Sequence, residues 1–400
     1  MTISARIVAG TIQTSRRRPA AAQIAPERVH AFVKDVLGED VHAARVFSFG
    51  TAVIGVLHAA SLGVHAIGRG LATAMGLDPK HAIKQFDRLL SNSGITVWEW
   101  FERWVLFLVA ARPEIVVALD WTDFDRDDQS TIAAYLITSH GRATPLIWKT
   151  VKKSELKTKR NEHEDLLIER LDQILPPGIK VTLLADRGFG DQKLFAYLEA
   201  LGWSYAIRFR QNTLVTCQGQ AAKAKDRIPK NGHAKMLKDV LITDLLTPIP
   251  AVVLKHQKGM KDTWCIATSC TDLGAAGVVK LYARRFTIEE TFRDIKNANL
   301  GMGLSDTRMS TPERRDRLLL LSAVAQALLT LLGAAGEACG LDRTLKANTV
   351  KTRTMSLFNQ GLCWYRMLPN MRDERLVPLM NEFGKLVAEH AAFRDLFGVI

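Results

Sequence analysis

Hydrophobic and polar positions alternate along this chain with three different rhythms, and each rhythm predicts a different kind of element. Residues 1–24 have no apolar period and include Arg16, Arg17 and Arg18, so they read as a flexible basic arm. Residues 25–112 follow helical spacing. Pro26-Glu27 opens a helix, Ser48 to His65 is small and apolar, and Trp98 to Ala111 is apolar on most sides before Pro113 stops it. The rhythm then changes to alternating or continuous apolar runs at Ile115–Trp121, Ile132–Ser139 and Thr144–Val151, which predicts three strands joined by short turns. A charged helix (Asn161–Ile174), a strand (Lys180–Ala185), a helix (Gln192–Leu201) and a strand (Tyr205–Phe209) follow. Residues 211–275 turn polar and basic with short strand-like pieces, Ala251–Lys255 and Trp264–Ser269 among them. Helical spacing returns at Leu281–Asn297 and in the uncharged run Leu318–Gly336. Residues 341–400 hold an amphipathic helix at Leu376–His390 and an apolar end at Phe393–Val399, fit for dimerisation or for plain packing.

An antiparallel meander, helix, strand, helix and strand is the element order of a ribonuclease H-like α/β core. The expected layout is a basic arm (1–24), a helical domain (25–112), the first part of the core (113–210), a β-rich insertion (211–275), the second part of the core (276–340) and a C-terminal helical region (341–400). In that order the first and fourth strands are sheet neighbours. Asp120 and Asp186, each closing an apolar run, are then expected to converge, with Asp123, Asp125 and Asp191 as nearby alternatives.

Charge narrows the partner. Lys and Arg outnumber Asp and Glu by 54 to 41, a formal net charge of +13, which favours a polyanion such as nucleic acid. Within the helical domain, a short helix ending at Gly76 is followed by one opening at Asp78-Pro79, whose Ile83, Phe86 and Leu90 make an apolar face. Lys80, Lys84 and Arg88 project from its other faces, a helix-turn-helix pattern with a basic second helix suited to DNA. Five cysteines without a CxxC pair point away from a disulfide framework or a zinc site and towards a reducing cytoplasm. The run Leu318–Gly336 is nearly long enough to cross a membrane, but it stands alone and carries Ser322, Gln326 and Thr330, so it reads as a helix buried against the sheet.

The stretch LYARRFTIEETFRDIKN holds the candidate chemistry. Tyr282, Arg285, Glu289 and Lys296 lie at offsets of 0, 3, 7 and 14, which on a continuous helix fall on one stripe about 60° wide. A phenol, a guanidinium, an acid and an ammonium in a row suit a phosphate backbone held beside a metal ion. Glu290 points about 100° away from Glu289 on such a helix, so geometry selects Glu289. An ordinary Arg285–Glu289 pair of a surface helix is the competing reading.

These residues resemble the insertion-sequence-four family of DDE transposases. Tyr282, Arg285, Glu289 and Lys296 match that family's Y-(2)-R-(3)-E-(6)-K signature, and LDWTD at Asp120 and LADRGF at Asp186 look like its two Asp blocks. The resemblance implies that Asp120, Asp186 and Glu289 form a triad holding Mg²⁺, or Mn²⁺ as a substitute. It also implies that Tyr282, Arg285 and Lys296 hold DNA phosphates and that Trp264 stacks on a flipped base, a core tryptophan being the plainer alternative. Arg208 and Arg210 are further phosphate contacts on this view. The implied protein is a bacterial, cytoplasmic and nucleoid-associated transposase without a membrane. It acts as a homodimer on double-stranded DNA, both terminal inverted repeats and target, by cut-and-paste transposition. A nuclease of the same fold without strand transfer, and a catalytically silent DNA-binding regulator, are the rival readings.

Overall fold

The computed structural model describes residues 24–38, 41–297 and 302–388. The basic arm and the Phe393–Val399 segment lie outside the described residues. Five helices come first: α1 (Pro26–Leu37), α2 (Ala43–Ala59), α3 (Val64–Met75), α4 (Pro79–Leu90) and α5 (Val97–Val109). The small, apolar Ser48–His65 run is divided between two helices, because Ala60 turns left-handed (φ 46°) and α2 meets α3 at 99°. Gly76 ends α3 with φ 66°, a conformation that favours glycine, and Asp78 caps α4 by accepting from the His81 amide. These two residues make the α3–α4 turn that the sequence predicts.

The sheet begins with β1 (Glu114–Phe124), β2 (Gln129–Leu136) and β3 (Thr144–Lys152). Next come α6 (Arg160–Ile174), β4 (Lys180–Ala185), α7 (Gln192–Ala200) and β5 (Ser204–Arg208). Then β6 (Leu214–Cys217), β7 (Gln220–Lys223), β8 (Lys235–Ile242), β9 (Thr247–Lys255) and β10 (Trp264–Thr268) lead to α8 (Ala275–Ala283) and α9 (Phe286–Lys296). The described chain closes with α10 (Pro312–Ala338), α11 (Leu357–Met367) and α12 (Asp373–Ala388). One ten-stranded sheet runs in the order β3-β2-β1-β4-β5-β10-β9-β8-β6-β7. The mixed α/β architecture is consistent with a ribonuclease H-like core.

Three features differ from the sequence expectation. The strands of the insertion form no sheet of their own: β10 pairs antiparallel with β5 and carries the core sheet onward through β9 and β8. The free edge of β5 offers unpaired backbone groups, and the insertion satisfies them. Asp120 does not end its strand, because β1 continues to Phe124 against β2 after its parallel partner β4 stops at Ala185. The expected single helix Leu281–Asn297 is broken into α8 and α9. Around Arg284 and Arg285 the amides bond three residues back, Arg284 to Leu281 and Arg285 to Tyr282, tightening the backbone between the two helices.

The apolar run at Leu318–Gly336 lies inside α10, which packs on β3, α2, α11 and α12. It is the one helix among the described residues long and apolar enough to cross a membrane, and 89% of its most apolar window is buried in the protein. Gly333 and Gly361 let α10 and α11 touch backbone to backbone. A Cβ on Gly333 would run into the Leu357 carbonyl, and one on Gly361 into that of Leu329.

Candidate active site

Parallel pairing sets the first two acids side by side. Leu119 is in register with Ala185, so Asp120 and Asp186 leave that pair on adjacent strands. Asp120 is held by its own backbone and by a neighbour: its Oδ1 accepts from the Trp121 amide at 2.9 Å, and the Trp121 indole donates to Glu164 on α6 at 2.8 Å. Asp186 follows the end of β4 and begins a short 3₁₀ turn, Arg187–Phe189.

The break between α8 and α9 aims two signature residues at these strands. The Tyr282 hydroxyl donates to Asp186 Oδ1 at 3.5 Å. Arg285, almost wholly buried, sends Nη1 to Asp120 Oδ2 at 3.4 Å and Nη2 to Glu289 Oε1 at 2.5 Å. One guanidinium therefore bridges two of the three acids. The i,i+4 pair of an ordinary surface helix is present here, but it is extended inward to a residue on the sheet. Glu290 turns the other way and pairs with Arg142 at 3.1 Å. Arg142 also binds Asp294 at 2.6 Å, and Thr291 donates to and accepts from the Ala143 backbone. This second set of contacts fixes α9 against the β2–β3 turn and sets which face carries Glu289.

Lys296 sits apart from Arg285 and Glu289. Its Nζ donates to the Asp123 carbonyl at 3.3 Å and lies 5.0 Å from the Phe124 ring centre. Burial pushes its pKa down. Trp264, at the start of β10, stacks on Phe286 (5.8 Å between centres, 25°) and meets the Tyr282 ring edge-on at 5.1 Å. Arg208 reaches Asp186 at 3.8 Å and Asp262 at 3.2 Å, and with Arg187 and Arg210 it lines a cleft of about 400 Å³. Lys80, Lys84 and Arg88 are exposed on α4, far along the chain from the acids. Lys84 and Arg88 line a separate cleft of about 700 Å³ between α2 and α4.

Burial raises the Asp120 carboxyl from its usual value to about 6, with Arg285 opposing the shift and Glu289 and Asp186 adding to it. Burial likewise raises the Tyr282 phenol to about 12, so it remains a neutral donor near pH 7. The alternative acids are engaged elsewhere. Asp123 takes Lys153 and Ser130, Asp125 takes Lys153, and Asp191 caps α7 while accepting from Asn161.

The donor set of Asp120, Asp186 and Glu289 is all carboxylate oxygen, the chemistry of Mg²⁺ or Mn²⁺ and not of zinc. Among the described residues no three His, Cys, Asp or Glu side chains are drawn together closely enough to enclose an ion. The Arg285 guanidinium places a positive charge between Asp120 and Glu289.

Sequence reading missed Arg142, Phe286, Glu164 and Arg315. Phe286 lies within the signature stretch and follows Arg285 directly, so its adjacency to Trp264 could have been sought. The others act across long sequence separations and leave no local pattern. A family model described as the transposase DDE domain matches residues 112–328, more than half of the chain. No curated protein matches it.

Proposed function

Because the chain belongs to the transposase DDE domain family, we propose that it is an insertion-sequence transposase that cuts and rejoins double-stranded DNA at terminal inverted repeats. Transposase function in general, DNA as the partner and a divalent metal requirement follow from the family. The finer reading, cut-and-paste transposition within the insertion-sequence-four group, is our own. It is carried chiefly by one observation: from a single stretch, Tyr282 reaches Asp186 just past the end of β4, and Arg285 holds Glu289 while reaching Asp120 on the neighbouring strand β1.

On this reading Asp120, Asp186 and Glu289 hold the metal, which supplies Lewis acidity at the scissile phosphate and an activated water or 3′-hydroxyl when bound. The residues of the chain do the rest. The Trp121 amide and Arg285 hold the Asp120 carboxylate in place. Arg285 and Lys296 are cations on the acids' side of β1 that would meet phosphate oxygens, and Arg208 with Arg210 would extend that contact along the strand. Tyr282 donates a hydrogen bond from a phenol that stays protonated. The Trp264–Phe286 stack offers an aromatic face for an unstacked base. The exposed cations Lys80, Lys84 and Arg88 on α4 would bind the repeat duplex.

The direct test uses end-labelled duplex carrying the element's flanking repeats, incubated with Mg²⁺ or EDTA. Metal-dependent nicks at the repeat end followed by joined products are expected. Specific binding without cleavage in either Mg²⁺ or Mn²⁺ would favour the regulatory reading, and cleavage without joining the nuclease reading.

A further inference from the structure

Lys296 has an aromatic seat, and that seat is itself clamped by a buried arginine. The Lys296 ammonium lies 5.0 Å from the centre of the Phe124 ring and 5.9 Å from that of Phe292. The nearby Asp123 offers it only a backbone carbonyl, its carboxylate being turned to Lys153 and Ser130. Phe124 ends β1 four residues beyond Asp120, so whatever fixes its ring also fixes the ammonium relative to the acids.

Arg315 supplies that fixture from α10. It is fully buried, and its Cζ lies 3.8 Å from the Phe124 ring centre. Its Nε donates to Gln129 Oε1 at 2.5 Å and its Nη2 to Asp127 Oδ2 at 2.5 Å. Its Nη1 has no hydrogen-bond partner among the described residues. Gln129 donates onward to the Met309 carbonyl, and the Met309 amide donates back to Asp127. The β1–β2 turn, the segment before α10 and α10 itself are thereby tied together around one guanidinium.

We propose that Arg315 and Phe124 are positioning residues for Lys296, acting on DNA only through that ammonium. The proposal rests on the reading of Lys296 as a phosphate contact. Arg315 is enclosed on all sides and cannot touch DNA itself, so any effect of its removal on DNA handling has to pass through a neighbour. A guanidinium that served only to hold the core together would change stability and leave the lysine's share of the chemistry intact.

A double-mutant cycle on the full chain separates the two. Single-turnover cleavage of the labelled repeat duplex and the salt slope of its binding would be measured for Lys296→Ala, Phe124→Leu, Arg315→Gln and the doubles Phe124→Leu/Lys296→Ala and Arg315→Gln/Lys296→Ala. Each single change is expected to slow cleavage roughly tenfold, and each double to be no slower than Lys296→Ala alone. Phe124→Tyr, which keeps the ring, is expected to recover most of the loss caused by Phe124→Leu. Doubles whose losses multiply to about a hundredfold would overturn the proposal while leaving Lys296 a phosphate contact. Wild-type cleavage and salt slope in Lys296→Ala would instead overturn both readings. Should Arg315→Gln fail to fold, the Phe124→Leu cycle decides alone.

Discussion

Arg285 reaches Asp120 at 3.4 Å across 165 residues of sequence while its other nitrogen holds Glu289, so a single cation stands between two proposed metal ligands. A cation in that place competes with a divalent ion for the same oxygens. Arg285→Ala should therefore bind Mn²⁺ about tenfold more tightly than wild type without DNA, by titration calorimetry. The same variant should lose DNA cleavage if Arg285 also makes the proposed phosphate contact. Unchanged or weaker Mn²⁺ binding would remove the competition from the account.

Asp120 gives the protein a defined pH response. Burial holds its carboxyl at about 6, above the usual value of 3.8. Between those two values the folded protein keeps a proton that the unfolded chain releases. The contribution of Asp120 to stability thus falls as pH rises from about 4 to 6 and is flat above. Asp120→Asn should lack this slope and gain relative to wild type by about 3 kcal/mol across that window, in denaturant melts with EDTA. Parallel pH profiles for the two proteins would contradict the burial argument.

The Arg142 contacts predict a different phenotype from those of Arg285. Arg142 binds the buried Asp294 and the half-exposed Glu290 and touches neither Asp120 nor Glu289. Arg142→Ala should cost about 3 kcal/mol, because it leaves Asp294 buried without its charge partner. Glu290→Gln should cost less than about 1 kcal/mol, since that pair is open to solvent. Both are read as shifts in the unfolding midpoint, and equal costs would mean that Asp294 does not depend on Arg142.

The helical domain makes a separable prediction. Lys80→Ala, Lys84→Ala and Arg88→Ala should each weaken binding to the repeat duplex and lower the slope of log K against log salt by about one. Cleavage of prebound DNA should be little changed. Unaltered affinity and slope in all three would remove α4 from the DNA contact.

Much of this arrangement is legible from local pattern. The apolar runs around Asp120 and Asp186 locate two strands, and the meander that follows Asp120 leaves only the β4 side of β1 free for parallel pairing. The i,i+4 spacing of Arg285 and Glu289 likewise announces their contact. The break at Arg284 was not legible, because nothing in YARRFT forbids a helix: there is no proline or glycine, and the tightening is a tertiary choice. The length of β1 beyond Asp120 has no legible signal, because Thr122 and Phe124 pack inward while Asp123 is exposed, an alternation too short to read before the Asp125–Asp127 turn. Pairs such as Arg142 with Asp294 and Arg315 with Asp127 join residues more than 150 positions apart, where no periodicity connects them.

The most direct test of the central claim is the contrast between two adjacent acids. Glu289→Gln and Glu290→Gln would each be bound to labelled repeat duplex at saturation, and strand cleavage started with Mg²⁺. The account predicts that Glu289→Gln binds DNA but does not cleave it, while Glu290→Gln cleaves at close to the wild-type rate. Cleavage by Glu289→Gln at near wild-type rate would contradict the assignment of Asp120, Asp186 and Glu289 as the metal-holding triad.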